Sequence, residues 1–192
     1  MGRIVATEYI SVDGVIEAPS GTESFERVGW TDAYHRGPEG DEFKLEEARA
    51  ADAFLYGRVT YEGFAPVWPK FKGELADTLN TLPKYVVSST LENPEWNNTT
   101  VIRGNVLAEI SKLKNKYQRD IVIFGSGQLV QTIIEHDLLD ALHLQVYPVI
   151  VGAGKRLFGE TSTSKRLRLA ETKTFGDVHS LIYERVPRSG DE

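Results

Sequence analysis

The chain has 192 residues, 41% hydrophobic and 26% charged, enough to bury one sizeable core and marginal for two. Its 22 Lys and Arg are scattered and outnumbered by 28 Asp and Glu, a net charge of −6, which excludes the broad basic field that nucleic acid or an anionic membrane surface requires. The lack of cysteine excludes disulfides, thiolate catalysis and thiolate-bound zinc, and fits a cytoplasmic address.

Residues 3–11 are rich in strand formers, and Val12-Asp13-Gly14-Val15 supplies the turn that ends them. Met1 to Ile10 carries Arg3 and Glu8 and no continuous apolar core, so it reads as neither a signal peptide nor a membrane span. Residues 17–40 form a glycine-bearing loop with Trp30 and Tyr34 as its large anchors. A helix is expected over 41–51, opening on Asp41, then a buried strand over 53–56 that ends at Gly57. A short helix follows over 60–64 and another over 74–82, which Pro83 stops before a strand at 85–88. Residues 99–102 suggest a short strand, and Val106, Leu107, Ile110, Leu113 and Tyr117 lie at helical spacing behind Asn105 as N-cap. After a β-rich run at 121–124, Leu129, Val130, Ile133 and Ile134 mark a helix ending near His136. Residues 142–151 read as one long apolar strand, in which Pro148 suggests a bulge or an edge. Residues 166–186 alternate over two β runs joined at Gly176-Asp177, a hairpin connection, and 188–192 form a tail beyond a single domain at 1–187. Successive βα units imply an α/β fold with a mostly parallel sheet covered on both faces and an antiparallel hairpin at one edge.

The most informative stretch is Ile123-Phe124-Gly125-Ser126-Gly127-Gln128-Leu129, where a strand breaks into glycine and then a helix. Small residues let backbone N–H groups approach an anion, and the helix N-terminus points at the same spot; the alternative is a tight turn with no ligand. Val130 stands where a dinucleotide fingerprint needs a third glycine or alanine, and no Gly-Lys-Ser/Thr follows, so neither the Rossmann nor the Walker pattern is met. Gly57-Arg58-Val59-Thr60 delivers an arginine able to fork onto a phosphate and a threonine placed as a helix cap, unless these are simply a surface arginine and an ordinary N-cap. Ser88-Ser89 ends the next strand comparably, so three strand ends present small polar or cationic groups on one sheet edge, where open α/β sheets bind ligands. His35, His136, His143 and His179 show no metal-ligand spacing, and Ser126 lacks the Gly-x-Ser-x-Gly frame of a hydrolase.

These segments, in this order, resemble the dihydrofolate reductase-like proteins, and within them the reductase domain of bacterial riboflavin biosynthesis, the RibD C-terminal branch. Ser11-Val12-Asp13-Gly14 looks like that family's substrate-side loop, Gly57-Arg58-Val59-Thr60-Tyr61-Glu62 like its Gly-Arg-x-Thr segment, and residues 84–89 like its following strand. Ile123-Phe124-Gly125-Ser126-Gly127 is similar to its pyrophosphate loop, and Leu138-Leu139-Asp140-Ala141-Leu142-His143-Leu144 through Pro148-Val149-Ile150-Val151-Gly152-Ala153-Gly154 and Leu157-Phe158 to its C-terminal signature. The resemblance implies a three-layer α/β/α dihydrofolate reductase-like fold and NADPH as cofactor. Arg58 with Ser88 or Ser89 would lie near the 2′-phosphate, Thr60 near the bridging phosphates, and Gly125, Ser126, Gly127, Gln128 and Leu129 around the pyrophosphate. Counted back from Gly57-Arg58, Asp41 falls where folate-reducing relatives keep the carboxylate that binds the pteridine, so it is the candidate catalytic carboxylate, with helix capping as the alternative. Asp13 and Gly14 are candidates for substrate contact or plain turn chemistry, and Trp30 and Tyr34 for stacking on a flat heterocycle or for anchoring their loop. The implied activity is NADPH-dependent reduction of a small heterocycle, nearer the phosphoribosylaminouracil reductase of riboflavin biosynthesis than true dihydrofolate reduction. A non-catalytic NADPH-binding protein and a flavoprotein are the alternatives, and a homodimer is expected across the strand bearing Pro148.

Overall fold

A computed structural model describes residues 1–21 and 24–187; the tail expected at 188–192 lies outside the described residues. The first strand, β1 (Arg3–Ser11), is followed by turns and then by helix α1 (Gly37–Ala50). This helix begins four residues before Asp41, because Pro38 sits in its first turn, where a fixed φ and a missing N–H are tolerated; Asp41 is therefore not its cap. Strand β2 (Ala51–Gly57) passes directly into α2 (Arg58–Phe64), with Gly57 as N-cap, so Thr60 is the third helical residue and not the cap expected of it. A 3-10 turn at Trp68–Lys70 leads to α3 (Glu74–Thr81), and strands β3 (Lys84–Val87) and β4 (Thr99–Ile102) follow. Asn105 caps α4 (Val106–Lys116) as expected, its side chain accepting from the Ala108 N–H. Then come β5 (Asp120–Phe124), α5 (Gly127–Glu135), β6 (Ala141–Tyr147) and the hairpin of β7 (Leu167–Phe175) and β8 (Val178–Arg185).

The eight strands form one sheet in the order β4-β3-β2-β5-β1-β6-β8-β7. Every pairing from β4 to β6 is parallel, and β8 and β7 add antiparallel strands at the far edge. The strand expected over 142–151 stops at Tyr147. Pro148 has no N–H to give the ladder, and the chain beyond it leaves the sheet.

Alternation along the central strands sorts the core into two layers. Ile4, Ala6 and Ile10 of β1, with Leu55, Ile121 and Ile123, pack under Ile110 and Leu113 of α4 and Val130 and Ile133 of α5. Val5, Phe54, Tyr56 and Val122 face the other way, onto Ala48 of α1, Leu79 of α3 and Trp96. Hydrophobic runs on strands buried on both faces are what a parallel sheet between two helical layers demands. Among the described residues no helix is long and apolar enough to cross a membrane.

Candidate active site

The parallel strands bring their carboxyl ends to one edge of the sheet, and there a cleft of about 1580 Å³ opens. At one end it is bordered by Arg58 at the start of α2, by Ser88 and Ser89 after β3, and by Arg103 and Gly104 after β4. The Arg58 guanidinium, half-exposed, sits 2.7 Å from Glu62 one turn along the same helix. Ser88 Oγ accepts from the Thr90 and Leu91 N–H groups, and the Arg103 guanidinium donates to the Leu91 carbonyl, which fixes this corner as a small turn held by Arg103. Both guanidinium groups present forked N–H donors that suit a phosphate.

The middle of the cleft is the glycine turn between β5 and α5. Gly125 and Ser126 both adopt left-handed backbone conformations, φ 73° and 74°; for Ser126 this costs energy that its surroundings must repay. What holds it is the Gly57 N–H, which donates to Ser126 Oγ at 2.8 Å and ties this turn to the start of the Arg58 segment. With Oγ so engaged, α5 has no side-chain cap, and its first-turn amides are left without the partner a cap would give. Gly127, Gln128 and Leu129 border the cleft, so these donors and the positive end of the helix dipole meet an incoming anion there. This cradle suits an anion such as a phosphate.

At the inner end lies a polar floor that the motifs do not announce. The Lys44 Nζ, buried against the rings of Tyr9 and Phe124 at 5.0 and 5.3 Å from their centroids, donates to Thr7 Oγ1 and to Glu47 Oε2. Glu47 Oε1 lies 2.6 Å from His143 Nδ1. Burial opposes charge on both partners and lowers the lysine, but for Glu47 the Lys44 charge and the bonds from His143 and Lys44 outweigh it and hold the carboxyl below its ordinary value. Arg36 donates to Tyr9 Oη and Gln145 Oε1 and pairs with Asp41 at 2.6 Å. Burial pushes the Tyr9 hydroxyl up to about 12, so it stays a protonated donor.

Of the residues singled out in the sequence, Gly57, Arg58, Val59, Thr60, Ser88, Ser89 and Gly125 to Leu129 all border this one cleft. Asp41 stands at its rim with its side chain 73% exposed. Asp13, Gly14, Trp30 and Tyr34 do not border this cleft. The Asp13 carboxylate accepts from the Ser11 hydroxyl and from the Val151 and Gly152 N–H groups, and these bonds pull it down to about 2. Gly14 takes a positive φ, and its carbonyl accepts from Leu157 N–H. Trp30 and Tyr34 set their edges against Tyr147 and donate to the Glu17 and Pro148 carbonyls. Asp13, Gly14 and Tyr34 fasten the loop after β1 to the segment after β6, and Trp30 ties that loop to itself and to Tyr147 at the end of β6. Glu8, Tyr9, Arg36, Lys44 and Arg103 border the cleft without having been expected; the one sequence signal was Glu8, a charge inside an otherwise apolar strand.

The family profile of the RibD C-terminal domain matches residues 3–181, from the start of β1 into β8. The chain belongs to the RibD C-terminal domain family. This family member is 29% identical to the uncharacterized protein YyaP of Bacillus subtilis (strain 168) over 191 residues, 94% of each chain. It is 28% identical to YwjB of the same organism over 177 residues, 92% of this chain and 94% of that one. Its fold superposes on a protein of Shewanella sp. PV-4 assigned provisionally to riboflavin biosynthesis, with TM-score 0.78 and 17% identity over 96% of this chain and 99% of the other. It also matches the dihydrofolate reductase of Enterococcus faecalis in complex with NADP(H) and RAB-propyl, with TM-score 0.59 and 16% identity over 96% and 97% of the two chains. A pyrimidine reductase-like protein of Corynebacterium diphtheriae matches with TM-score 0.62 and 15% identity over 97% and 92%. The expected RibD-like branch and dihydrofolate reductase-like fold are thus borne out.

Proposed function

We propose that this RibD-family chain is an NADPH-dependent reductase of a small heterocyclic substrate, of the pyrimidine or pteridine kind. The observation that carries the reading is the convergence of Arg58, Ser88 and the α5 amides on one cleft, with the Gly57 N–H to Ser126 Oγ bond joining the two phosphate-binding motifs. Arg58, Ser88, Ser89 and Arg103 hold the 2′-phosphate, where a guanidinium fork favours a dianion over the free hydroxyl of NADH. Thr60 and the amides of residues 125–129 hold the pyrophosphate. NADPH, when bound, supplies the hydride. On the α1 side of the sheet Tyr9, Lys44 and Asp41 orient the substrate. The Lys44 Nζ, buried and already donating, is placed to hold positive charge beside the reacting ring, and Asp41 meets the substrate at the rim by exchanging its bond to Arg36. The cysteine-free composition suits a reducing cytoplasm. A homodimer would cover the exposed Ile150 and Phe158 on the segment after β6.

Calorimetric titration tests the cofactor. NADPH should bind at least tenfold more tightly than NADH, and Arg58→Ala should remove most of that preference. Absorbance of NADPH followed against a pteridine, a ribosylaminopyrimidine and simple carbonyls tests the reaction. Binding with no turnover on any of them would favour a non-catalytic NADPH-binding protein, and no binding at all would overturn the reading.

A further inference from the structure

One buried polar atom beside the cleft, a carboxyl oxygen of Glu8, makes no hydrogen bond among the described residues. Glu8 alternates with Thr7 and Tyr9 on β1, so it lies on the face of Ile4, Ala6 and Ile10, the face that α5 covers, while Thr7 and Tyr9 lie toward α1 and Lys44. It is 4% exposed, borders the cleft, and its Oε1 makes no hydrogen bond. A buried acceptor left empty is costly, and one that borders a ligand cleft is open to completion by the ligand. Burial pushes the carboxyl up to about 8 against the opposing charge of Lys44, so near neutrality Glu8 is a carboxylic acid with one O–H donor and one carbonyl acceptor side by side.

Its place along the cleft says which group it meets. The strand order runs β4, β3, β2, β5, β1. Arg103 follows β4, the amides of the cradle follow β5, and Glu8 is on β1, four strand spacings from β4 or about 19 Å, the span of an extended dinucleotide. A nucleotide laid from the arginines across the cradle on the α5 side therefore reaches Glu8 with its far ring.

We propose that Glu8 reads the carboxamide of a nicotinamide ring bound at this end of the cleft, its O–H donating to the amide carbonyl and its carbonyl accepting from the amide N–H. The inference rests on the NADPH reading above and adds the group that distinguishes the nicotinamide from other rings. An amide edge of the same shape occurs on lactam heterocycles, and the experiment separates the two sources.

The full chain is titrated calorimetrically with NADP+ and with its 3-acetylpyridine analogue, in which a methyl group replaces the amide nitrogen and its donors. The wild type should favour NADP+ by about tenfold, the factor that about 1.4 kcal/mol represents. Glu8→Gln, which keeps a donor and an acceptor, should retain the preference. Glu8→Met should bring the two affinities within about threefold while leaving contacts at Arg58 intact. Tight binding of both nucleotides with no preference in the wild type, or a preference that survives Glu8→Met, overturns the role of Glu8 and leaves the NADPH reading standing. A Glu8→Met effect confined to the KM of a lactam substrate, with nucleotide preference unchanged, overturns the carboxamide assignment. Failure of the wild type to bind either nucleotide sinks the cofactor reading and this inference with it.

Discussion

Glu8 ties the stability of the folded chain to pH. Its carboxyl lies near 8 when folded against an ordinary 4.5 in the unfolded chain. Below about pH 4.5 both states hold the proton and the full stability is present. As pH rises toward 8 the unfolded chain releases the proton while the folded one keeps it, so stability is lost across that window at up to about 1.4 kcal/mol per pH unit. Glu8→Gln removes the slope. Urea unfolding should show the variant gaining on the wild type by roughly 2–4 kcal/mol between pH 5 and pH 8; parallel pH profiles would mean that the carboxyl is ionised in the fold. At Gly125 the constraint is conformational. Its φ of 73° and the Thr60 methyl 3.4 Å from where a Cβ would stand make Gly125→Ala cost about 1–2 kcal/mol, and nucleotide affinity should fall with it. Thermal melting with and without NADPH measures both effects.

At the scale of elements, Lys84 shows how a single side chain finishes a helix. Fully buried at the start of β3, its Nζ donates to the carbonyls of Leu79, Asn80 and Leu82 at the end of α3 and lies 4.8 Å from the Trp96 ring centroid. Lys84→Met leaves those acceptors empty and should destabilise the chain by about 2–4 kcal/mol, read as a lower urea midpoint with unchanged slope. The β7–β8 turn is equally constrained. Gly176 has φ 55°, and a Cβ there would run into the His35 carbonyl, so Gly176→Ala should loosen the hairpin and the approach to α1 together, visible as faster amide exchange in β8.

Elements of this kind were legible wherever local chemistry decides them. Pro83 ends α3, Asn105 caps α4, and Gly176-Asp177 turns the hairpin, each by a rule that acts within a few residues. Asp41 has the residue type of a cap, but Pro38 sets the first turn of α1, and the apolar run past Tyr147 reads like strand although the sheet ends at Pro148, whose missing N–H ends the pairing rather than bulging it. The cradle and the Arg58 segment were legible because glycine spacing carries them. The Lys44–Glu47 pair was not: opposite charges three apart on a helix read the same whether solvated or buried, and only contacts with Thr7 and His143, 37 and 96 residues away, fix which it is. Asp13, Trp30 and Tyr34 have the residue types of a binding loop but spend their polar atoms on backbone groups across a fold that the sequence alone does not close.

For the whole molecule, the cleft spans strands from both halves of the chain, so a ligand there clamps β2, β3, β5 and β1 at once. NADPH at a hundred times its Kd should add about 2.7 kcal/mol and raise Tm by about 5–10 °C for a chain of this size, and Arg58→Ala should shrink that shift. The same strand order has a consequence for biogenesis. β1 is made before either strand that it pairs with, β5 from Asp120 onward and β6 from Ala141 onward. A growing chain leaving the ribosome therefore carries this central strand unsatisfied while β2, β3, β4 and their helices are made, a stretch of apolar sequence that must wait for partners or be shielded by a chaperone.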